Sequence, residues 1–282
     1  MKKLVILLTI VLPFIQTTAF AGNCSSSPIP GHIVLGGGGE RGSENFALGN
    51  DIIAISGGGE QGLALRSDGS VAAWGYDRRG QVSNYPSGND FIAVAAGNYH
   101  SSALRASGEV VAWGNNDHGQ CDVPSSAQSG VVSLTAGSYV CMALKNDGTV
   151  VSWGMNSSLS EDRASGVQAV AMQGYRRMVL KNDNSVISWR VNGTTEAPPA
   201  GTFTFIAPCW YTYLAIKSDG SLAAWGDPEN SPGGLNIPSG NDYVEIYGND
   251  NYAMGRKTDG SIVCWGSPPG SLRRRCTGQG RL

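Results

Sequence analysis

The chain has 282 residues, 41% hydrophobic and 15% charged, which is enough apolar material for a sizeable core and too few charges for a disordered segment. A formal net charge of −2 gives no electrostatic drive toward polyanions, so nucleic acid is not an expected partner. The 40 glycines are about twice the usual share of roughly 7% and follow neither a collagen period nor a low-complexity block, so they should mark turns.

In chain order, Met1-Lys2-Lys3, an apolar run from Leu4 to Ile15, and Ala19-Phe20-Ala21 before Gly22 form the three zones of a secretory signal peptide. Cleavage is expected after Ala21. The run is too short to span a bilayer, and no later stretch is apolar for long enough, so the mature protein should be soluble, secreted or periplasmic, with no membrane insertion. Asn23 separates Gly22 from Cys24, which weakens a lipoprotein reading. Loss of Lys2 and Lys3 takes the net charge from −2 to −4, and Arg273-Arg274-Arg275 reads as a solvated tail. The six cysteines, Cys24, Cys121, Cys141, Cys209, Cys264 and Cys276, all follow the leader. Disulfides are therefore permitted, while the absence of C-x-x-C spacing argues against a zinc site or a redox motif.

The central feature is a repeat. Trp recurs in one context at Trp74, Trp113, Trp153, Trp189, Trp225 and Trp265, at intervals of 39, 40, 36, 36 and 40 residues, a period that means an array. Stepping back 39 residues from Trp74 reaches Ile33-Val34-Leu35-Gly36, a decayed seventh copy of the same strand. Each unit has one grammar, seen best from Phe91 to Gln120: an apolar strand ending at Gly97, a short loop Asn98-Tyr99-His100, a second strand through Ala103 and Leu104, a tight turn, and a third strand ending at Trp113-Gly114. The turns Asp68-Gly69, Ser107-Gly108, Asp147-Gly148, Asp183-Asn184, Asp219-Gly220 and Asp259-Gly260 predict two-residue type I′ hairpins between short antiparallel strands. No segment keeps a helical apolar period for three turns. Six units of short strands, arranged radially, make an all-β propeller with six full blades and a partial seventh, in which each Trp packs between neighbouring blades.

The grammar A-x-G-x-Y-H-x-x-A-L followed by D-G-x-V-x-x-W-G-x-N-x-x-G-Q resembles the regulator-of-chromosome-condensation repeat. Within that superfamily, Val123-Pro124-Ser125-Ser126-Ala127-Gln128-Ser129-Gly130-Val131 is similar to the linkers of the secreted propeller-type β-lactamase inhibitory proteins. The likeness runs from about Ile33 to Gly266. It implies 33–266 as the propeller, which with the leader at 1–21 leaves 22–32 as an N-terminal extension and 267–282 as a C-terminal tail. A propeller brings its ends together, so Cys276 is expected to bridge to Cys24 or to Cys264.

In those inhibitors the target is gripped by the loops after each first strand and after each Trp-Gly. Carried over by position, the first set places Tyr99, Tyr139, Tyr175 and Tyr211 at one register, with Glu60 and Asn251 in the outer units; Asn98, Ser138, Gly174 and Trp210 flank them on one side and His100, Arg176 and Thr212 on the other. The second set gives Tyr76-Asp77-Arg78-Arg79, Asn115-Asn116-Asp117-His118 and Asp227-Pro228. The residues expected to bind are Tyr99, Tyr139, Tyr175, Trp210, Tyr211, Tyr76, Arg78, Arg79, Asn116 and Asp117, a composition suited to gripping another protein. Tyr at this register is also common in the repeat and can pack against its own blade. Unit four departs with Arg190 after its Trp, unit five with Pro208-Cys209, and unit six with Gly255-Arg256.

Catalytic patterns are not found. The three histidines, His32, His100 and His118, make a His-rich metal centre implausible, and His100 fits a structural strand-entry position. No G-x-S-x-G or H-E-x-x-H occurs. The G-x-G-x-x-G matches at Gly37 to Gly42 and Gly57 to Gly62 open no helix, and the acidic residues are mostly turn Asp. Asn23, Asn156 and Asn192 head glycosylation sequons. No enzyme activity, cofactor or metal is expected. The leading expectation is a secreted protein-binding propeller, in its sharper form an inhibitor of a β-lactamase or related enzyme; the alternative is a propeller that binds carbohydrate or a cell surface.

Overall fold

The computed structural model describes residues 33–35, 46–48, 51–59, 61–227, 236–248 and 252–266. The residues expected as leader (1–21), N-terminal extension (22–32) and tail (267–282, with Arg273-Arg274-Arg275), and Glu60, Pro228 and Asn251, lie outside the described residues. A short hairpin, β1 (Ile33–Leu35) with β2 (Phe46–Leu48), comes first. Blade 1 is β3 (Ile52–Gly57), β4 (Gln61–Arg66) and β5 (Val71–Gly75), and blade 2 is β6 (Phe91–Ala96), β7 (His100–Arg105) and β8 (Val110–Gly114). Blade 3 is β9 (Val131–Ala136), β10 (Val140–Lys145) and β11 (Val150–Gly154), and blade 4 is β12 (Val167–Gln173), β13 (Arg176–Lys181) and β14 (Val186–Arg190). Blade 5 is β15 (Phe203–Pro208), β16 (Thr212–Lys217) and β17 (Leu222–Gly226), and blade 6 is β18 (Tyr243–Gly248), β19 (Tyr252–Lys257) and β20 (Ile262–Gly266). Each blade is an antiparallel three-stranded sheet in sequence order. Helix is confined, among the described residues, to a 3-10 turn at Ser125–Ala127 and to α1 (Glu161–Ala164).

The hairpins differ from the two-residue expectation. Arg66 O accepts from Gly69 N at 2.9 Å and Arg66 N donates to Ser70 O at 2.9 Å, so the loop has three residues, Ser67-Asp68-Gly69. Gly69 alone has positive φ (+82°), and Asn184 takes that place in blade 4 at φ 65°. These are type I turns closed by a residue in the left-handed region. The turn Asp leaves that conformation to Gly and serves through its carboxylate, as where Asp68 Oδ1 accepts from Ser70 N at 2.9 Å.

Consecutive first strands pack on one another from β3 through β18, so they are innermost. The core consists of seams between blades, each built around the Trp of the later blade. Trp153 packs with Leu104 and Val110 of blade 2 and Leu134 of blade 3. Trp189 joins Met142 and Val150 of blade 3 to Val170 and Val179 of blade 4, and Trp113, Trp225 and Trp265 do the same in their seams. Burying such a ring is worth about 1.5–3 kcal/mol at least, so these tryptophans are principal structural residues. Among the described residues β18 and β3 lack the packing that joins consecutive first strands, and Trp74, at the open flank of blade 1, is only half-buried. The strand expected near Leu35 exists as β1 and pairs with β2. Cys121, Cys141 and Cys209 are in no disulfide. Cys264 is disulfide-bonded; Cys24 and Cys276 lie outside the described residues.

Candidate functional site

A first strand ends on the face where the loop after Trp-Gly begins, and hydrogen bonds join the two loops. The residue following Trp-Gly, or Trp-Arg in blade 4, donates its N–H to the carbonyl at the Tyr register: Asn115 to Tyr99 (2.9 Å), Met155 to Tyr139 (2.9 Å), Val191 to Tyr175 (2.8 Å) and Asp227 to Tyr211 (3.1 Å). Adjacent inner loops are also bonded across blades, Gly59 N to Gly97 O (3.3 Å), Asn98 N to Gly137 O (3.3 Å) and Ser138 N to Gly174 O (2.9 Å). At blade 5 this pattern gives way: the Gln173 amide nitrogen, turned to satisfy the network, donates to the carbonyls of Pro208 (3.1 Å) and Gly248 (2.9 Å). The face is therefore held by backbone bonds, which limits the loop entropy lost on binding.

On this frame the rings of four blades form an arc. Centroids are 6.0 Å apart from Tyr99 to Tyr139, 6.4 Å from Tyr139 to Tyr175, and 6.1 Å from Tyr175 to Trp210. Tyr99 and Tyr175 are 36% and 40% exposed, and Tyr139 and Trp210 are half-buried, so the arc is neither core nor a set of isolated surface rings. Trp210 stands one residue before the Tyr register and lies over Gly174. Tyr211 keeps the backbone register but its ring does not join the arc; Trp210 takes its place.

The second loop set meets this arc through a residue that was not among those expected to bind: His118, exposed, stands edge-on to Tyr139 with centroids 4.8 Å apart. Its loop is fixed by the Gly-Gln that ends the repeat. Gln120, fully buried, accepts from His118 N at 2.9 Å and bonds the side chain of Asn115. Its carbonyl also accepts from Trp153 Nε1 at 3.0 Å. Gln81 repeats this with Arg79 N (2.9 Å) and Trp113 Nε1 (3.0 Å). Arg79 reaches Asp117 at 3.4 Å, both exposed; Arg78 is exposed and makes no ion pair with a described residue. Tyr76 is half-buried. Asn116, although exposed, uses its side chain within its own turn, donating to Asp122 at 2.8 Å and accepting from Cys121 N at 2.8 Å.

Three flanking residues expected on the rim, His100, Arg176 and Thr212, are buried, as is Ser138. The reason is their place: they begin the middle strand of a blade, which is buried at its first five positions, and so enter the seams. Arg176 has a supporting task. Its Nε donates to Trp210 O at 3.1 Å, its Nη1 to Glu196 at 2.6 Å, and its guanidinium lies 4.7 Å over the Tyr213 ring. Glu196 also pairs with Arg190, which reaches Asp227 at 3.9 Å. The Arg190 that replaces the usual Gly is thus part of an ion network under Trp210, and burial pushes the Tyr213 phenol up to about 12.

His100 Nε2 stands 3.1 Å from Cys141 Sγ. Burial pulls the imidazole down to about 4 and pushes the Cys141 thiol up, so the pair is neutral and carries none of the charge separation that activates a cysteine nucleophile. Among the described residues no group of three or more His, Cys, Asp or Glu is placed to hold a metal ion, and no helix is long and apolar enough to cross a membrane.

The comparisons agree with this architecture. The Regulator of chromosome condensation (RCC1) repeat matches residues 91–120 and 131–158. The fold is similar to the CRINKLY WD40 ectodomain of the Arabidopsis thaliana receptor kinase ACR4, at 24% identity and TM-score 0.62 over 80% of this chain and 82% of that one. It is similar also to the ectodomain of the Physcomitrella patens receptor kinase CR4, at 21% identity and TM-score 0.65 over 90% and 74%. Yeast RCC1 (Prp20), solved bound to Kap60, aligns at 18% identity and TM-score 0.59 over 77% and 70%. No curated protein matches the sequence. The class is an all-β propeller. Blades 2 and 3 match the RCC1-type repeat, and among the described residues all six blades are three-stranded sheets with the same strand order.

Proposed function

We propose that this chain is a secreted protein-binding propeller that grips a partner protein with its loop face. The observation that carries this is the arc Tyr99, Tyr139, Tyr175 and Trp210, four partly exposed rings from four successive blades on loops locked to one another. Large side chains with few rotors, already held in place, bury area at low entropic cost. Arg78 supplies an exposed cation without an ion-pair partner among the described residues, and Arg79 and Asp117 a rim pair. The rings are inclined to one another by 31°, 41° and 68°, which suits an irregular protein surface better than the single apolar face a sugar ring stacks with.

Secretion rests on the leader-like residues 1–21, and the same reading takes 22–32 as an extension, 33–266 as the propeller and 267–282 as a tail. The sharper form, an inhibitor of a β-lactamase or related penicillin-binding enzyme, rests on the likeness of the Val123 to Val131 linker. A capture experiment with Gly22 to Leu282, beside a folded variant carrying Tyr139→Ala, Tyr175→Ala and Trp210→Ala, tests the general reading against secreted proteins and β-lactamases. A partner held by the parent and lost by the variant supports it; identical capture by both removes the arc as the site. Failure of micromolar protein to inhibit a class A β-lactamase panel removes only the sharper form.

A further inference from the structure

The seam between blades 3 and 4 holds a positive charge that no described acidic side chain neutralises. The linker after Trp153 lacks the Gly-Gln that closes the two preceding units, and Arg177 of β13 fills its place. The side chain is 1% exposed. Its Nη1 and Nη2 donate to the carbonyls of Asn156 (3.0 Å) and Met155 (3.0 Å), while its Nε–H is buried without a protein acceptor. Arg163, in α1, comes to the same place. Arg177 is the cross-strand partner of Trp189, and the Arg163 guanidinium lies 4.9 Å over that ring. Arg163 Nη2 donates to Thr195 at 2.7 Å, and its Nε–H too is buried without a protein acceptor. Neither guanidinium has an ion pair with a described carboxylate.

We propose that this seam is an anion site that takes a small monovalent ion, chloride or bromide, on the Nε–H groups of Arg177 and Arg163. A buried cation without a counter-charge is costly, and an unpaired N–H adds its own desolvation penalty. One spherical anion relieves both, whereas a tetrahedral oxyanion would leave its remaining oxygens without partners. The cost is visible in Arg177 itself, which burial and then the charge of Arg163 pull down to about 10.

The test compares thermal unfolding of the purified protein in chloride and in gluconate at one ionic strength, and soaks crystals in bromide. A saturable rise in Tm on the order of 2–4 °C with chloride and an anomalous bromide peak between the two Nε atoms support the site, provided that both are lost in Arg177→Met. Should Arg177→Met not fold, the half-buried Arg163→Met gives the same reading. Equal Tm in the two salts, or a chloride rise that persists in Arg163→Met, overturns the proposal, because a general salt effect would not depend on that side chain.

Discussion

The indole of Trp210 lies against Gly174, whose φ is +55° and where an added Cβ would stand 2.8 Å from the ring. The glycine is needed twice, for its backbone conformation and for the room it leaves. Gly174→Ala is expected to destabilise the protein by roughly 1–2 kcal/mol and to move Trp210 off the arc. Urea unfolding reads the first effect. The indole resonance that disappears in Trp210→Phe reports the second, and an unshifted resonance would contradict it.

Arg176 and Glu196 form a nearly enclosed pair at 2.6 Å that supports the Trp210 loop. Removing one partner should cost about 3 kcal/mol, since the other is left charged and poorly solvated. Arg176→Met and Glu196→Gln should therefore each destabilise strongly, and the double variant by less than their sum. Additive losses in a denaturant series would show that the two do not act as a pair.

His100 predicts an acid limb. Its folded value, about 4, lies below the ordinary 6.5, so the unfolded chain takes up the proton first as pH falls. The contribution is full above about 6.5, declines below that, and is spent once pH passes about 4; its size is about 3 kcal/mol. The urea midpoint of the parent should fall across this window, while that of His100→Asn should fall less.

The thiols of Cys121, Cys141 and Cys209 are expected to be inert in the native state. Burial, and secondarily Asp122, pushes Cys121 up to about 11, Cys141 is raised by burial, and Cys209 is buried in its seam. Iodoacetamide at pH 8 should label these three slowly until the protein is unfolded. Rapid native labelling of Cys141, located by peptide mapping, would place it outside the seam.

On the loop face, Trp210→Ala and Tyr139→Ala should each cost about 2 kcal/mol or more of partner affinity, as truncation of central aromatic anchors does. Asn116→Ala should act instead on stability, by about 1 kcal/mol, because its side chain is spent on Cys121 N and Asp122. Isothermal titration and unfolding of the same variants separate the two effects; Asn116→Ala with normal stability and lost binding would reverse its assignment.

The repeat, its strands and the structural place of the tryptophans were legible in the sequence because they are periodic. A Trp every 36 to 40 residues, followed by Gly in five of six units, and an Asp-Gly before four of the six third strands are local signals that need no knowledge of the fold. The turn type was misread: the signal Asp-Gly is shared by two-residue and three-residue hairpins, and only the Gly69 N to Arg66 O bond distinguishes them. The loop residues were found by register, but register cannot tell which neighbours point outward. His100, Arg176 and Thr212 follow Tyr directly and enter the seams, whereas His118, farther away in sequence, meets Tyr139.

Sequence alone determined the blade: its strands, its hairpins, and the Trp that must be buried, since each follows from short-range backbone preference and apolar alternation. Tertiary structure decided what happens between blades. The aromatic arc, the ion network below Trp210 and the uncompensated Arg177 each join residues from separate strands and loops, and those pairings depend on how one blade's side chains fill the space its neighbour leaves. Close packing at a seam is a property of two surfaces together, so a repeat read one unit at a time does not contain it.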